Sequence, residues 1–389
     1  MRKSTRALLA AALVLGVTAG PMSLAPAFAA PARPVAQAPT APDLSAVIGG
    51  LPSKDTTAAL VRVGGTEGAW QGSAGVHDLT TGRPADPGGR FRAGSVTKVF
   101  TAAVVLQLAG EGRIDLGRPA RSYLPELIPA AYGGVTVRQL LNHTHGIPAA
   151  HLPGETVEEW YARRFVEHDP RDLVRDATAR PREFAPGEKQ HYLNIGYTIA
   201  GLIVERVTGD SYEHQVAARV LRPLGLKDTY FPGGSPRIEG RHNHGYQWMR
   251  LDDGTTGLRD VTVWGATDGW AAGDLISTTA DLEQFTRALF GGRVVRGPLL
   301  EEMFTLPKVA DFGSGAPAAY SVGLSMKKLG GREVWGKTGG RWGYNAAIAS
   351  TRHGERTLVY SVNSTDAKGQ EMNKVAMGVM LATFGAPSE

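Results

Sequence analysis

The sequence predicts an α+β fold: one antiparallel sheet built from both chain ends and flanked by helices, with a mostly helical lobe inserted between them. Three observations lead there. Strand-like segments lie near the start of the chain and return after residue 318. Residues 116–275 read mostly as helices and loops. Between Val99 and Leu108 only Thr101 and Gln107 are polar, the mark of a helix buried on all sides. The lobes are expected at 44–115 with 276–389, and at 116–275, with a cleft where they meet.

Taken in order, residues 1–29 carry a basic start (Arg2, Lys3, Arg6), an apolar run from Ala7 to Val17, and the small residues Ala27 and Ala29. That is the pattern of an export signal cleaved after Ala29. A secreted protein is expected, in the extracellular space or at the cell wall, with no stable membrane anchor. The Ala/Pro-rich stretch 30–43 is a flexible lead-in. A helix is expected at Leu44–Leu51 and strands at Ala58–Val63 and Trp70–His77. The apolar helix spans Ser95–Leu108 and stops at Gly110 and Gly112. Further helices are placed at Thr136–Asn142, Leu193–Val207, Tyr212–Leu221 with Ser211 as N-cap, and Ser277–Phe290 capped by Ser277 or Thr279. Strands follow at Ala319–Met326, Glu333–Lys337, Gly343–Ser350 and Thr357–Val362, then a closing helix at Met372–Phe384.

The chain has no cysteine, so disulfides, thiol nucleophiles and cysteine metal sites are excluded. Three of the positive charges behind the formal +5 lie in the first six residues, so nucleic acid is a poor partner. His143 and His145, and His242 and His244, have ligand-like spacing but no evident third ligand, and read as structural. Neither H-E-x-x-H nor G-x-S-x-G occurs. No metal or organic cofactor is implied, and a monomer is expected.

Chemistry concentrates in three motifs. Ser95 and Lys98 are neighbours on a helix face. A serine needs a base, and a lysine can serve if burial and nearby positive charge lower its pKa. The helix N-terminus offers N–H groups to an oxyanion. Taken alone, a surface helix start with a snorkelling lysine explains this pair as well. Tyr192-Leu193-Asn194 offers a tyrosine, its pKa lowered by ammonium groups, to pass a proton, and an amide to hold a substrate. A buried tyrosine and a helix cap are the plainer explanation. Lys337-Thr338-Gly339-Gly340 ends a strand, where a cation and hydroxyl could grip an anion and the glycines admit a ligand, or where a hairpin turns.

The motifs occur in one order and on the elements such chemistry needs. S-x-x-K followed by K-T-G is a signature of β-lactamases and penicillin-binding proteins. Together with RFRAGSVTK (90–98), DLGRPARSYLPEL (115–127), VTVRQLLNHTHGI (135–147), HYLNIGYTIAGLIVERVTG (191–209), GWAAGDLISTTADLEQF (269–285) and WGKTGG (335–340), the chain resembles the penicillin-recognising serine hydrolases. It is most similar to the branch of secreted D-alanyl-D-alanine carboxypeptidases and class C β-lactamases. The resemblance implies a β-lactamase/transpeptidase-like fold and an acyl-enzyme at Ser95, with Lys98 and Tyr192 sharing proton transfer. Asn194 would position the substrate. Lys337 and Thr338 would bind its carboxylate end and tune Tyr192. The N–H groups of Ser95 and Gly340 would form the oxyanion hole, and Trp270 would line the cleft.

The chain departs from that branch twice. Ser325 stands where an arginine grips the peptide carboxylate, and Gly340 where a serine or threonine helps. Arg341 is the expected substitute. The activity expected first is D-alanyl-D-alanine carboxypeptidase, acting on peptidoglycan peptides and acylated by β-lactams. A β-lactamase shares the acylation chemistry. An esterase or D-amino-acid amidase on small acyl substrates, and a non-catalytic β-lactam or muropeptide sensor, complete the alternatives.

Overall fold

The computed structural model describes residues 40–385 apart from Pro153, Ala266 and Gln370. The expected export signal and all but the end of the lead-in lie outside these residues. Among the described residues no helix is long and apolar enough to cross a membrane.

The chain opens with a short helix, α1 (Ser45–Ile48), ended by Gly49 and shorter than expected. Strands β1 (Thr56–Gly64) and β2 (Trp70–Gly75) form a hairpin, and β3 (Phe91–Arg92) follows. A 3-10 turn at Gly94–Val96 leads into α2 (Thr97–Gly110). Next come α3 (Val137–Leu141), α4 (Val157–Ala162), α5 (Pro170–Thr178), β4 (Lys189–Gln190) and α6 (Ile195–Thr208). Helix α7 (Tyr212–Val216) runs through a π-helical turn into α8 (Arg222–Leu224). A hairpin of β5 (Tyr246–Arg250) and β6 (Thr256–Asp260) interrupts the helical stretch, where none was expected. Then follow β7 (Ile276–Ser277), α9 (Thr279–Phe290), α10 (Pro298–Glu301) and β8 (Ala310–Asp311). Strands β9 (Ser325–Leu329), β10 (Arg332–Arg341), β11 (Tyr344–Thr351) and β12 (Thr357–Ser364) and helix α11 (Lys374–Phe384) close the chain.

The main sheet has the order β2-β1-β12-β11-β10-β9 and is antiparallel throughout. Val61 of β1 pairs with Tyr360 of β12, so the two chain ends are joined as expected. Both faces are buried, which is why β11 and β12 place apolar residues at successive positions, 346–349 and 358–360, rather than at alternate ones. Ala347, Ala349, Leu358 and Tyr360 pack with Ile48 of α1 and Val379 and Phe384 of α11. Ala346, Ile348 and Val359 join the larger core built around α2. There Phe100 stacks on Phe285 of α9 at 3.7 Å. Helix α2 is buried almost all round, as its composition predicts.

Two boundaries differ from expectation. The cap of α9 is Thr278, whose side chain accepts from Asp281 N; Ser277 instead pairs with Phe91 in the β3–β7 bridge. The strand expected from Ala319 begins only at Ser325, because the amides of Ala319 and Tyr320 donate to Gln190 Oε1 instead of a ladder.

Candidate active site

The turn that carries Ser95 is held from both sides. Ala93 N donates to Leu275 O (2.8 Å), and Thr97 Oγ1 donates to Gly94 O (2.7 Å) while accepting from Leu275 N (3.1 Å). The turn rests on β10 where that strand has lost its neighbour: β9 pairs only as far as Ser325 opposite Gly336. Backbone meets backbone there. A Cβ on Gly339 would lie 2.0 Å from Ala93 O and 2.9 Å from Ser95 N; one on Gly94 would lie 2.6 Å from Gly340 N. The amides of Ser95 and Gly340, the expected oxyanion pair, therefore sit on touching segments.

Lys98 is wholly buried. Its Nζ lies 3.0 Å from Ser95 Oγ, 2.8 Å from Asn194 Oδ1 and 2.7 Å from Ala272 O. As an ammonium it donates to all three. As a neutral amine it keeps two donations, to Asn194 and Ala272, and turns its lone pair to the Ser95 hydroxyl. Burial, and then the charges of Lys337, Lys368 and Arg341, hold its pKa well below the usual lysine range. The geometry thus prepares a base rather than a surface cation.

Tyr192 lies between two lysines. Lys98 Nζ is 5.1 Å and Lys337 Nζ 4.7 Å from its ring centroid. These cations face the ring, and the phenol is not acidified as the sequence suggests. Burial pushes its pKa up, opposed by the nearby Ser95 hydroxyl. Its Oη is buried without a well-formed hydrogen bond. A neutral phenol facing Ser95 can donate its proton first and then take one back, whereas a phenolate would have to accept one before it could donate. The rings of His143 (4.5 Å) and Tyr320 (4.8 Å) hold it in place. His143 O accepts from His191 N (2.9 Å), and Nδ1 of His145 accepts from Ile147 N (2.9 Å), so both histidines serve as supports.

Lys337 Nζ donates to Thr338 O (2.8 Å), and burial lowers its pKa to about 7. Thr338 is exposed on the open strand edge. Beside Tyr192 and Asn194 opens a cavity of about 220 Å³, lined by Leu152, Leu173, Thr198 and Asp268.

Two expectations are corrected. Arg341 does not offer its guanidinium to the cleft: Nη1 donates to Asp268 Oδ2 (3.0 Å), Nη2 to Asp268 Oδ1 (3.3 Å), and Nη2 lies 3.2 Å from Asp274 Oδ1. Its side chain is 8% exposed, and a substrate carboxylate would have to compete with two aspartates. Trp270 packs its ring against Tyr212 (5.2 Å) and donates Nε1–H to Glu213 Oε1 (2.6 Å), so it braces the core side of the segment that presents Ala272 O. At the two departing positions, Ser325 Oγ donates to Gly336 O (3.1 Å). A Cβ on Gly340 would sit 3.0 Å from Ala367 O, which favours glycine there.

Sequence reasoning missed Asp268, Asp274 and Lys368. Asp274 stands inside a quoted motif, but nothing local links any of the three to Arg341.

The Beta-lactamase family profile matches residues 51–379. A solved structure of a D-stereospecific amidohydrolase from Streptomyces sp. superposes with a TM-score of 0.74 at 31% identity, covering 88% of this chain and 99% of that one. Esterase EstB of Burkholderia gladioli is 35% identical over 173 residues, 42% of this chain and 43% of that protein. Penicillin-binding protein 4* of Bacillus subtilis is 27% identical over 305 residues, 76% of this chain and 65% of that protein. The chain thus spans less than two thirds of the length of these two curated relatives.

Proposed function

We propose, from the premise that the chain belongs to the Beta-lactamase family of serine hydrolases, that it is an exported enzyme that cleaves the bond after a D-amino acyl group through an ester on Ser95. Its substrates on this reading are D-alanyl ends of cell-wall peptides, and β-lactams acylate it. The observation that carries the proposal is the position of Lys98, fully buried and within hydrogen-bond distance of Ser95, Asn194 and Ala272 at once. Neutral Lys98 takes the Ser95 proton as Oγ attacks the carbonyl carbon. The oxyanion is met by the amides of Ser95 and Gly340. Tyr192, flanked by Lys98 and Lys337, passes the proton to the leaving nitrogen. Water then cleaves the ester by the same route in reverse.

A second reading is supported by the engagement of Arg341 with two aspartates and by the Ser325 hydroxyl bond to Gly336 O. With neither free to take a carboxylate, an amidase or esterase on uncharged substrates gains ground, in keeping with the amidohydrolase likeness.

The test is a time course of intact mass with benzylpenicillin, with free product followed in parallel. A lasting adduct, absent in Ser95→Ala, favours the peptidase; rapid product release with a fleeting adduct means β-lactamase. No adduct, together with hydrolysis of D-amino acid amides, moves the assignment to the amidase. Turnover that survives Ser95→Ala rejects the acyl-enzyme altogether.

A further inference from the structure

We propose that Asp274 is a positioning residue for the base: its carboxylate closes the turn that holds Ala272 O against Lys98 Nζ, and so aims the lone pair of the neutral amine at Ser95. The inference rests on the reading of Ser95 as nucleophile and Lys98 as its base. It concerns a residue outside all three motifs, acting through a main-chain carbonyl.

A neutral Lys98 spends its two N–H groups on Asn194 Oδ1 (2.8 Å) and Ala272 O (2.7 Å), and its lone pair then faces Ser95 Oγ at 3.0 Å. Were Ala272 O to withdraw, the freed N–H would turn to the serine oxygen and the lone pair would turn away from it. Ala272 O is set by a single 3-10 turn, Trp270–Ala272, in which Ala272 N donates to Gly269 O (2.7 Å). Trp270 holds φ at 34°; among the described residues only it and His143 are non-glycine residues at positive φ. A backbone of that kind persists only where its surroundings enforce it. Asp274 enforces it here: Oδ2 accepts from Trp270 N (2.6 Å), and Asp274 N donates to Trp270 O (3.1 Å).

The other oxygen, Oδ1, lies 3.2 Å from Arg341 Nη2. Arg341 ends β10 next to Gly340, so this ion pair ties the turn under the base to the strand that carries the oxyanion amide. The fit around the carboxylate is close. A Cβ on Gly269 would lie 2.2 Å from Asp274 Oδ1, although the backbone there (φ −83°, ψ −46°) suits any residue. Burial raises the Asp274 carboxyl to about 6, with Arg341 opposing, so it is ionised at neutral pH. The groups facing Lys98 are the rings of Tyr192 (5.1 Å) and Tyr197 (5.7 Å), His143, and the charges of Lys337, Lys368, Arg341 and Asp274. Of these charges Asp274 alone is negative.

The test is the pH profile of kcat/KM for p-nitrophenyl acetate, with circular dichroism and thermal unfolding alongside. Asp274→Ala should lower the high-pH plateau by about tenfold or more, since small misplacements of a catalytic group cost that much. It should also move the acid limb to lower pH, because the one negative charge that favours the Lys98 ammonium is gone. Gly269→Ala keeps every charge and wedges the carboxylate off Trp270 N. Its plateau should fall likewise with the limb in place, and it decides the matter if Asp274→Ala does not fold. A merely structural loosening would let water reach Lys98 and move the limb to higher pH in both variants. That result, or an unchanged plateau in either folded variant, overturns the proposal. Ester hydrolysis that is absent in the wild type or survives Ser95→Ala is a different failure, that of the nucleophile assignment, and removes the proposal with it.

Discussion

Lys337 shows what a single buried charge does at this site. Its pKa of about 7 lies below the ordinary 10.5, with burial as the cause. Between those values the unfolded chain binds a proton that the folded chain does not. Stability therefore rises with pH across that window, and below about pH 7 the full cost of the buried ammonium is carried. Lys337→Met should raise Tm near neutral pH by about 2–5 °C and flatten its rise toward pH 10; a lower Tm or an unchanged slope would contradict this. The same change removes a charge that helps depress Lys98. The proposed mechanism needs Lys98 neutral, so activity should fall as pH is lowered, and in Lys337→Met that acid limb should move to higher pH. At this scale the sequence was legible where chemistry is local: Ser95 and Lys98 are one helical turn apart, and their contact follows from spacing. Arg341 was misjudged because Asp268 and Asp274 lie far away in sequence and reach it only in the fold. Lys368, whose charge acts on Lys98, was invisible, since it belongs to no periodic element.

Among the elements, the contact between β10 and the turn that carries Ser95 matters most. Gly339 is there because no side chain fits: its Cβ would lie 2.0 Å from Ala93 O. Gly339→Ala should push the strand from the turn and spread the amides of Ser95 and Gly340. Overpacking of this kind costs about 1–3 kcal/mol, which a chain of this size can survive. The loss of oxyanion geometry should lower kcat/KM by about 10²-fold or more. Ester hydrolysis beside circular dichroism checks both; full activity would mean that the amides do not act as a pair. Elements whose periodicity serves their own burial, such as α2 and β10 to β12, were readable. The β5–β6 hairpin was missed: Tyr246–Arg250 alternates only briefly, and the Asp253-Gly254 turn signal was absorbed into a loop. The apolar residues before Ser325 imitate a strand, but their backbone is tied by Gln190 and by a turn in which Ser321 N donates to Leu324 O.

For the whole molecule, the sheet must bring residues near both ends of the chain into adjacent strands, and one side chain fastens that closure. Asn373 Oδ1 caps α11 by accepting from Val375 N (2.9 Å) and Ala376 N (3.3 Å). Its Nδ2 lies 2.9 Å from Asp55 O, 2.9 Å from Thr56 Oγ1 and 3.2 Å from Ser364 Oγ, and its two N–H groups, shared among these acceptors, tie the start of β1 to the end of β12. That the two ends share a sheet could be read from where the strand patterns fall; the fastening could not, because an asparagine before an apolar run signals only a cap. Asn373→Ala removes the cap and leaves partly buried partners unpaired, a loss of about 2–3 kcal/mol. Thermal unfolding should show Tm lower by about 5 °C. An ordinary cap serves its helix alone and would cost about 1 kcal/mol. A drop of that size would show that Asn373 merely starts α11, whereas the larger loss would show that it also locks β1 against β12.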